Sequence, residues 1–158
     1  MQRLKVGIFS FTGDEGCVIT FLEILNYKFF EWRDLVDIRY CKTLKSKNRM
    51  EGLDVAFVEG AISSEKEAKR VKEIRRNCRK LISIGSCAID GSPSNHRNFF
   101  DKARMKEIRP VMKKFRHLKK VVPLKDIVKV DGEVPGCPML EDAFVKCLEA
   151  ELKEFGVV

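Results

Sequence analysis

Short apolar runs alternate with longer segments of helical periodicity along this chain, and no other feature of the sequence limits the fold as much. Runs at 4–11, 35–40, 53–58, 80–84 and 119–123 are rich in Val, Ile, Leu or Phe and have the length of strands. Helical patterns fill the gaps, at 18–32, about 63–78, about 99–117 and 140–155. In the last of them Leu140, Phe144, Cys147, Leu148, Leu152 and Phe155 recur every three or four residues as one apolar stripe. Ser63-Ser64-Glu65-Lys66-Glu67 reads as a helix start, because a Ser cap with an acid three residues on satisfies orphan amides at both places. Strands that alternate with helices predict a mainly parallel sheet covered on both faces and joined by right-handed crossovers. The expected architecture is a three-layer, flavodoxin-like α/β domain, a single domain over 1–158. Ligands of such sheets bind beyond the carboxyl ends of the strands, where the strand order reverses.

That rule selects the loops to read. FTGDEGC follows the first strand, VEGAISS the third and IGSCAIDG the fourth, while VPGCPM precedes the last helix. Three of these four loops carry a cysteine among Gly, Ser or Pro: Cys17, Cys87 and Cys137. A lone free cysteine is usually a small buried hydrophobe. Three at one end of one sheet, all in turns with glycine, instead point to thiolate ligands of an iron–sulfur cluster, with Gly16, Gly85 and Gly136 letting the backbone approach. Of the remaining three cysteines, Cys78 ends a predicted helix and Cys147 lies on the stripe of the last one, so these two read as packing residues, while Cys41 ends the second strand. Only one cluster can be accommodated by these residues. A chain of 158 residues can bury a full core without metal, so a metal site here would be functional rather than structural.

At these residues the chain resembles the small, electron-transferring subunit of nickel-iron hydrogenases and the related 20 kDa quinone-reductase subunit of respiratory complex I. EGC after the first strand, the turn Val58-Glu59-Gly60, IGSCA at 84–88 and PGCP at 135–138 carry the resemblance, in the family's order. Two adjacent cysteines mark the first loop of the complex I branch; here Gly16 precedes Cys17, which matches the hydrogenase branch better. The resemblance implies one proximal 4Fe–4S cluster on Cys17, Cys87 and Cys137, at the contact with a nickel-iron hydrogenase large subunit, with further electron-carrier subunits as partners. It also implies that hydrogen chemistry belongs to the large subunit. The family's fourth ligand, a cysteine three positions before Cys17, is replaced by Asp14. Asp14, water or Cys41 then supplies the fourth place, and Asp14 is favoured by position, although carboxylate is a harder ligand than thiolate. Glu59 matches the family's glutamate beside the cluster, and is equally explained as an acid near a helix start.

Other functions leave weaker marks. Ser10-Phe11-Thr12-Gly13 resembles a phosphate loop and makes an FMN-binding, flavodoxin-like electron-transfer module the alternative, although Asp14 and Glu15 would repel a phosphate. Cys87 as a catalytic nucleophile lacks a base, since His96 and His117 have no spacing that ties them to it and read as surface residues. The 31 Lys and Arg exceed the 23 Asp and Glu by eight, concentrated at 66–80 and 102–120. In both segments the cations alternate with apolar residues, the pattern of a solvated helix face over a buried one, and neither carries a nucleic-acid motif. The apolar stretches are far shorter than the roughly 18 residues of a membrane span, and the N-terminal run reaches Gly13-Asp14-Glu15-Gly16 before a signal core forms. No direct membrane insertion and a cytoplasmic location are expected.

Overall fold

The computed structural model describes residues 2–158. Strands β1 (Leu4–Ser10), β2 (Val36–Tyr40), β3 (Leu53–Glu59), β5 (Cys78–Ile84) and β7 (Gly132–Val134) form one sheet in the order β2-β1-β3-β5-β7, and every pairing is parallel. The chain goes outward from β1 to β2, then returns past β1 to β3. The strand order therefore reverses between β1 and β3, where a doubly wound sheet opens its crevice.

Alternation along the strands builds two cores. Leu4, Val6 and Ile8 of β1 and Val55 and Phe57 of β3 face helices α1 (Gly16–Trp32) and α5 (Glu141–Glu154). The ring of Phe144 seals that layer, 4.8 Å from Phe57 and 5.6 Å from Phe21. Ala56 and Val58 face the opposite way, toward Val71 and Ile74 of α2 (Glu65–Asn77) and Ala88 of α3 (Ser86–Asp90). Central β3 is buried along its whole length, as a strand between two helical layers must be. The capping box at the start of α2 forms as read: Ser64 Oγ accepts the Glu67 N–H, and Glu67 Oε2 accepts the Ser64 N–H.

Four expectations are corrected. The run at 119–123 belongs to a strand, β6 (His117–Val122), but β6 pairs antiparallel with the short β4 (Ile62–Ser64) outside the main sheet. Lys119 and Lys120 are exposed there, which a strand covered on both faces would forbid. The fifth place in the main sheet goes to β7, three residues long. Cys78 begins β5 rather than ending a helix, since α2 stops at Asn77. His117 is not a surface residue on a helix end; it opens β6, half-buried, with Nδ1 3.0 Å from the Ser63 carbonyl. Finally, α4 (Lys102–Lys114) has no fully buried residue, so its apolar side is not covered as expected.

Asp131 ties β7, and so the Cys137 loop, to the rest of the sheet. Its Oδ2 accepts the Leu81 N–H at 2.9 Å and lies 3.3 Å from Arg75, while Oδ1 lies 3.3 Å from Lys129. Burial pushes this carboxyl up, but the Leu81 N–H, Lys129 and Arg75 together outweigh burial and hold it below the usual range. A carboxyl depressed in the folded state stabilises above its unfolded pKa and stops doing so as pH falls through the folded one. Asp131→Asn is therefore expected to cost about 1–2 kcal/mol near neutrality. Urea titrations at several pH values should show that difference shrinking through the acidic carboxylate range.

Candidate metal centre

A small pocket, part of it open to solvent, lies over the carboxyl ends of β1, β3, β5 and β7, across the point where strand order reverses. Asp14 and Cys17 reach it from the loop after β1, and Glu59 and Gly60 from the end of β3. Gly85 and Cys87 arrive after β5, Gly136 and Cys137 after β7. Of the glycines singled out in the sequence, Gly16 alone does not line the wall. It holds the wall from behind, its N–H donating to Asp14 Oδ1 at 3.0 Å. Cys41 is elsewhere, buried beside a hollow lined by Phe9, Tyr40 and Arg70 on the β2 side, with its N–H on Asn48 Oδ1.

Cys17 occupies the first turn of α1 and Cys87 that of α3, so both side chains are set by helix starts rather than by free loops. The Cys17 sulfur sits against Gly85. A Cβ at Gly85 would stand 2.4 Å from Cys17 Sγ, and the backbone there has φ 80° and ψ 158°, a conformation essentially limited to glycine. Gly85 is thus required twice, by the turn out of β5 and by the sulfur in front of it. Cys137 is exposed at the rim.

Burial pushes the Cys17 thiol up to about 12, with the Met139 N–H opposing and Glu59 adding to the rise. At neutral pH the thiol keeps its proton, and a bound metal would have to displace it. That also removes Cys17 as a nucleophile, which needs an accessible thiolate. Glu59, 3% exposed, accepts from Ser10 Oγ at 2.8 Å and from the Val18 N–H at 3.0 Å; burial pushes its carboxyl up, and those donors pull it back. Glu59 therefore pins the end of β1 to the first turn of α1 and fixes where Cys17 points.

Among the described residues, no three His, Cys, Asp or Glu side chains close on one point as a single ion would require. The lining carries the donor type that iron–sulfur clusters take, cysteine thiolates above all. Three thiols and a carboxylate around a pocket whose wall lacks a Cβ at Gly85 fit such a group.

Two contacts to sulfur were not legible in the sequence. Ser94 Oγ donates to Cys87 Sγ at 3.2 Å, and the Met139 N–H donates to Cys17 Sγ at 3.4 Å. Ser94 lies seven residues beyond Cys87, across the turn that ends α3, and nothing in SPSNHRN marks that return. The hydroxyls of the apparent phosphate loop are engaged by acids: Ser10 by Glu59, and Thr12 Oγ1 by Glu67 Oε1 at 2.8 Å. A phosphate would meet carboxylates there, which weighs against the flavin alternative.

The family described as NADH ubiquinone oxidoreductase, 20 Kd subunit, matches residues 15–150. The chain is 29% identical over 170 residues to a subunit of the F420-non-reducing hydrogenase (vhu) of Methanocaldococcus jannaschii, covering 94% of this chain and 57% of the relative. It is 29% identical over 163 residues to the NAD-reducing hydrogenase HoxS subunit delta of Cupriavidus necator, covering 93% of this chain and 78% of the relative. The chain thus spans little more than half the length of the Methanocaldococcus relative. In fold it is similar to a chain of an NAD+-reducing [NiFe]-hydrogenase in the H2-reduced state, with a TM-score of 0.83 at 23% identity, over 97% of this chain and 93% of that one.

Proposed function

Because this chain belongs to the NADH ubiquinone oxidoreductase 20 Kd subunit family, we propose that it is the electron-transfer subunit of a nickel-iron hydrogenase-type complex. In this reading it relays electrons between the large-subunit active site and an external carrier through one proximal 4Fe–4S cluster. The observation that carries the reading is the pocket lined by Cys17, Cys87, Cys137 and Asp14 at the reversal of strand order. These four residues would hold the cluster, which supplies one-electron chemistry when bound. Hydrogenase relatives at 29% identity along more than nine-tenths of this chain support a partner large subunit. No pair of cysteines in this chain has the Cys-x-x-Cys spacing of a nickel-iron site, so hydrogen activation is assigned to that partner.

The remaining residues act on the ligands. Donors to ligand sulfurs stabilise added negative charge, so the Met139 N–H and Ser94 Oγ favour the reduced state. The short connections after β1, β5 and β7 hold the four ligands close to the ends of rigid strands, limiting reorganisation when charge arrives.

Hydrogen-driven reduction tests this role. The complex, purified anaerobically with its partner subunits, should develop the paramagnetic signal of a reduced cluster under hydrogen without added reductant. Cys87→Ala should lose that signal and hydrogen-dependent reduction of the carrier while the large subunit keeps its nickel and iron. Carrier reduction at the wild-type rate in that variant would show that electrons bypass this chain.

A further inference from the structure

Residues 99–120 contain nine Lys and Arg against Asp101 and Glu107, a net of +7, which with the basic helix at 66–80 is one of the two concentrations of positive charge in the chain. Elsewhere some cations are paired, as Arg75 with Asp131 and Lys80 with Glu151. Among the described residues none of these nine has a carboxylate within 4.0 Å. Unpaired cations lie beside uncovered apolar side chains. Phe99 is 77% exposed, Phe115 61% and Val111 55%, and no residue of α4 is fully buried. Val111 and Phe115, four apart, share one side of the helix end. Met105, Ile108 and Met112 are only half-buried beneath it.

We propose that α4 and its flanks form a docking surface for an anionic lipid bilayer, on which the chain lies without crossing. The charge complements acidic headgroups, and Val111 and Phe115, exposed at the helix end among Lys113, Lys114 and Arg116, can enter the interfacial layer beside them. An acidic protein is the other occupant this patch suits, and the vesicle experiment separates the two. A surface role also accords with the absence, among the described residues, of any helix long and apolar enough to span a membrane. The patch is separate from the cysteine pocket, so the test reads the same with or without metal.

Co-sedimentation of the full chain with vesicles decides it. The chain should bind vesicles of phosphatidylcholine mixed with phosphatidylglycerol, bind phosphatidylcholine alone far more weakly, and release as salt rises. Lys113→Glu with Lys114→Glu should weaken binding by at least about tenfold, since each cation near such a surface contributes on the order of 1 kcal/mol. Phe115→Ser, which leaves the charge intact, should weaken it several-fold. Circular dichroism on each variant establishes that the exposed substitutions leave the fold unchanged. Equal binding to both vesicle types, no binding at low salt, or a Phe115→Ser variant that binds like wild type would each overturn the proposal, the last by reducing the surface to a site for any polyanion or acidic protein.

Discussion

Replacing Gly85 by alanine is expected to remove the proposed metal centre while leaving the sheet assembled. The new Cβ would lie 2.4 Å from Cys17 Sγ, closer than two such atoms can approach. Cys17 cannot yield easily, because it is buried in the first turn of α1, which Glu59 clamps through the Val18 N–H. Backbone strain adds to the clash, since φ 80° with ψ 158° costs a non-glycine residue about 1–3 kcal/mol. Together these predict a loss of at least about 2 kcal/mol, or roughly 4–8 °C in Tm for a domain of this size. Iron content should fall with it. Gly156→Ala is the control, because Gly156 also has positive φ, at 66°, but a Cβ there would meet nothing within 4 Å. That variant should lose about 1 kcal/mol and keep its iron. Equal effects from the two would show that the Cys17 contact is unimportant.

Replacing Asp14 separates the three candidates for the fourth ligand. Asp14 lines the pocket and its Oδ1 is occupied by the Gly16 N–H, which orients the carboxylate. Asp14→Ala should leave one iron without a protein ligand, so the ratio of iron to sulfide drops from about 4:4 toward 3:4 in air. Asp14→Cys should keep all the iron and shift the cluster's paramagnetic signal and potential, because thiolate is the softer ligand. Cys41→Ala should change neither quantity, given its place on the β2 side. Loss of iron in Cys41→Ala with none in Asp14→Ala would reverse the assignment.

The sheet was legible where strands were long and apolar. β1, β2, β3 and β5 are found within two residues of their expected limits, because each carries three or more apolar or β-branched residues between turn signals. β7 was not, since three residues with Glu133 exposed leave no periodicity to read. The strand at 119–123 was real but misplaced: composition marks extended backbone and says nothing of which sheet receives it. α3, of five residues, is too short for a helical pattern, so Cys87 read as a loop residue although it stands in a helix turn. The three cysteines were legible as a group because a parallel sheet gathers its carboxyl-end loops at one edge, and Asp14 was added to them by the family resemblance. Their outer contacts were not, because Ser94 and the Met139 amide arrive by local turns with no distinctive residue type.

The most direct test is the iron and acid-labile sulfide content of the anaerobically purified chain, with paramagnetic resonance spectra before and after dithionite. Wild type should hold about four irons and four sulfides and give a signal on reduction. Single Cys17→Ala, Cys87→Ala and Cys137→Ala variants should lose both, while Cys78→Ala and Cys147→Ala keep them. A folded wild-type chain, co-expressed with its partner subunits yet free of iron and sulfide, would contradict the account.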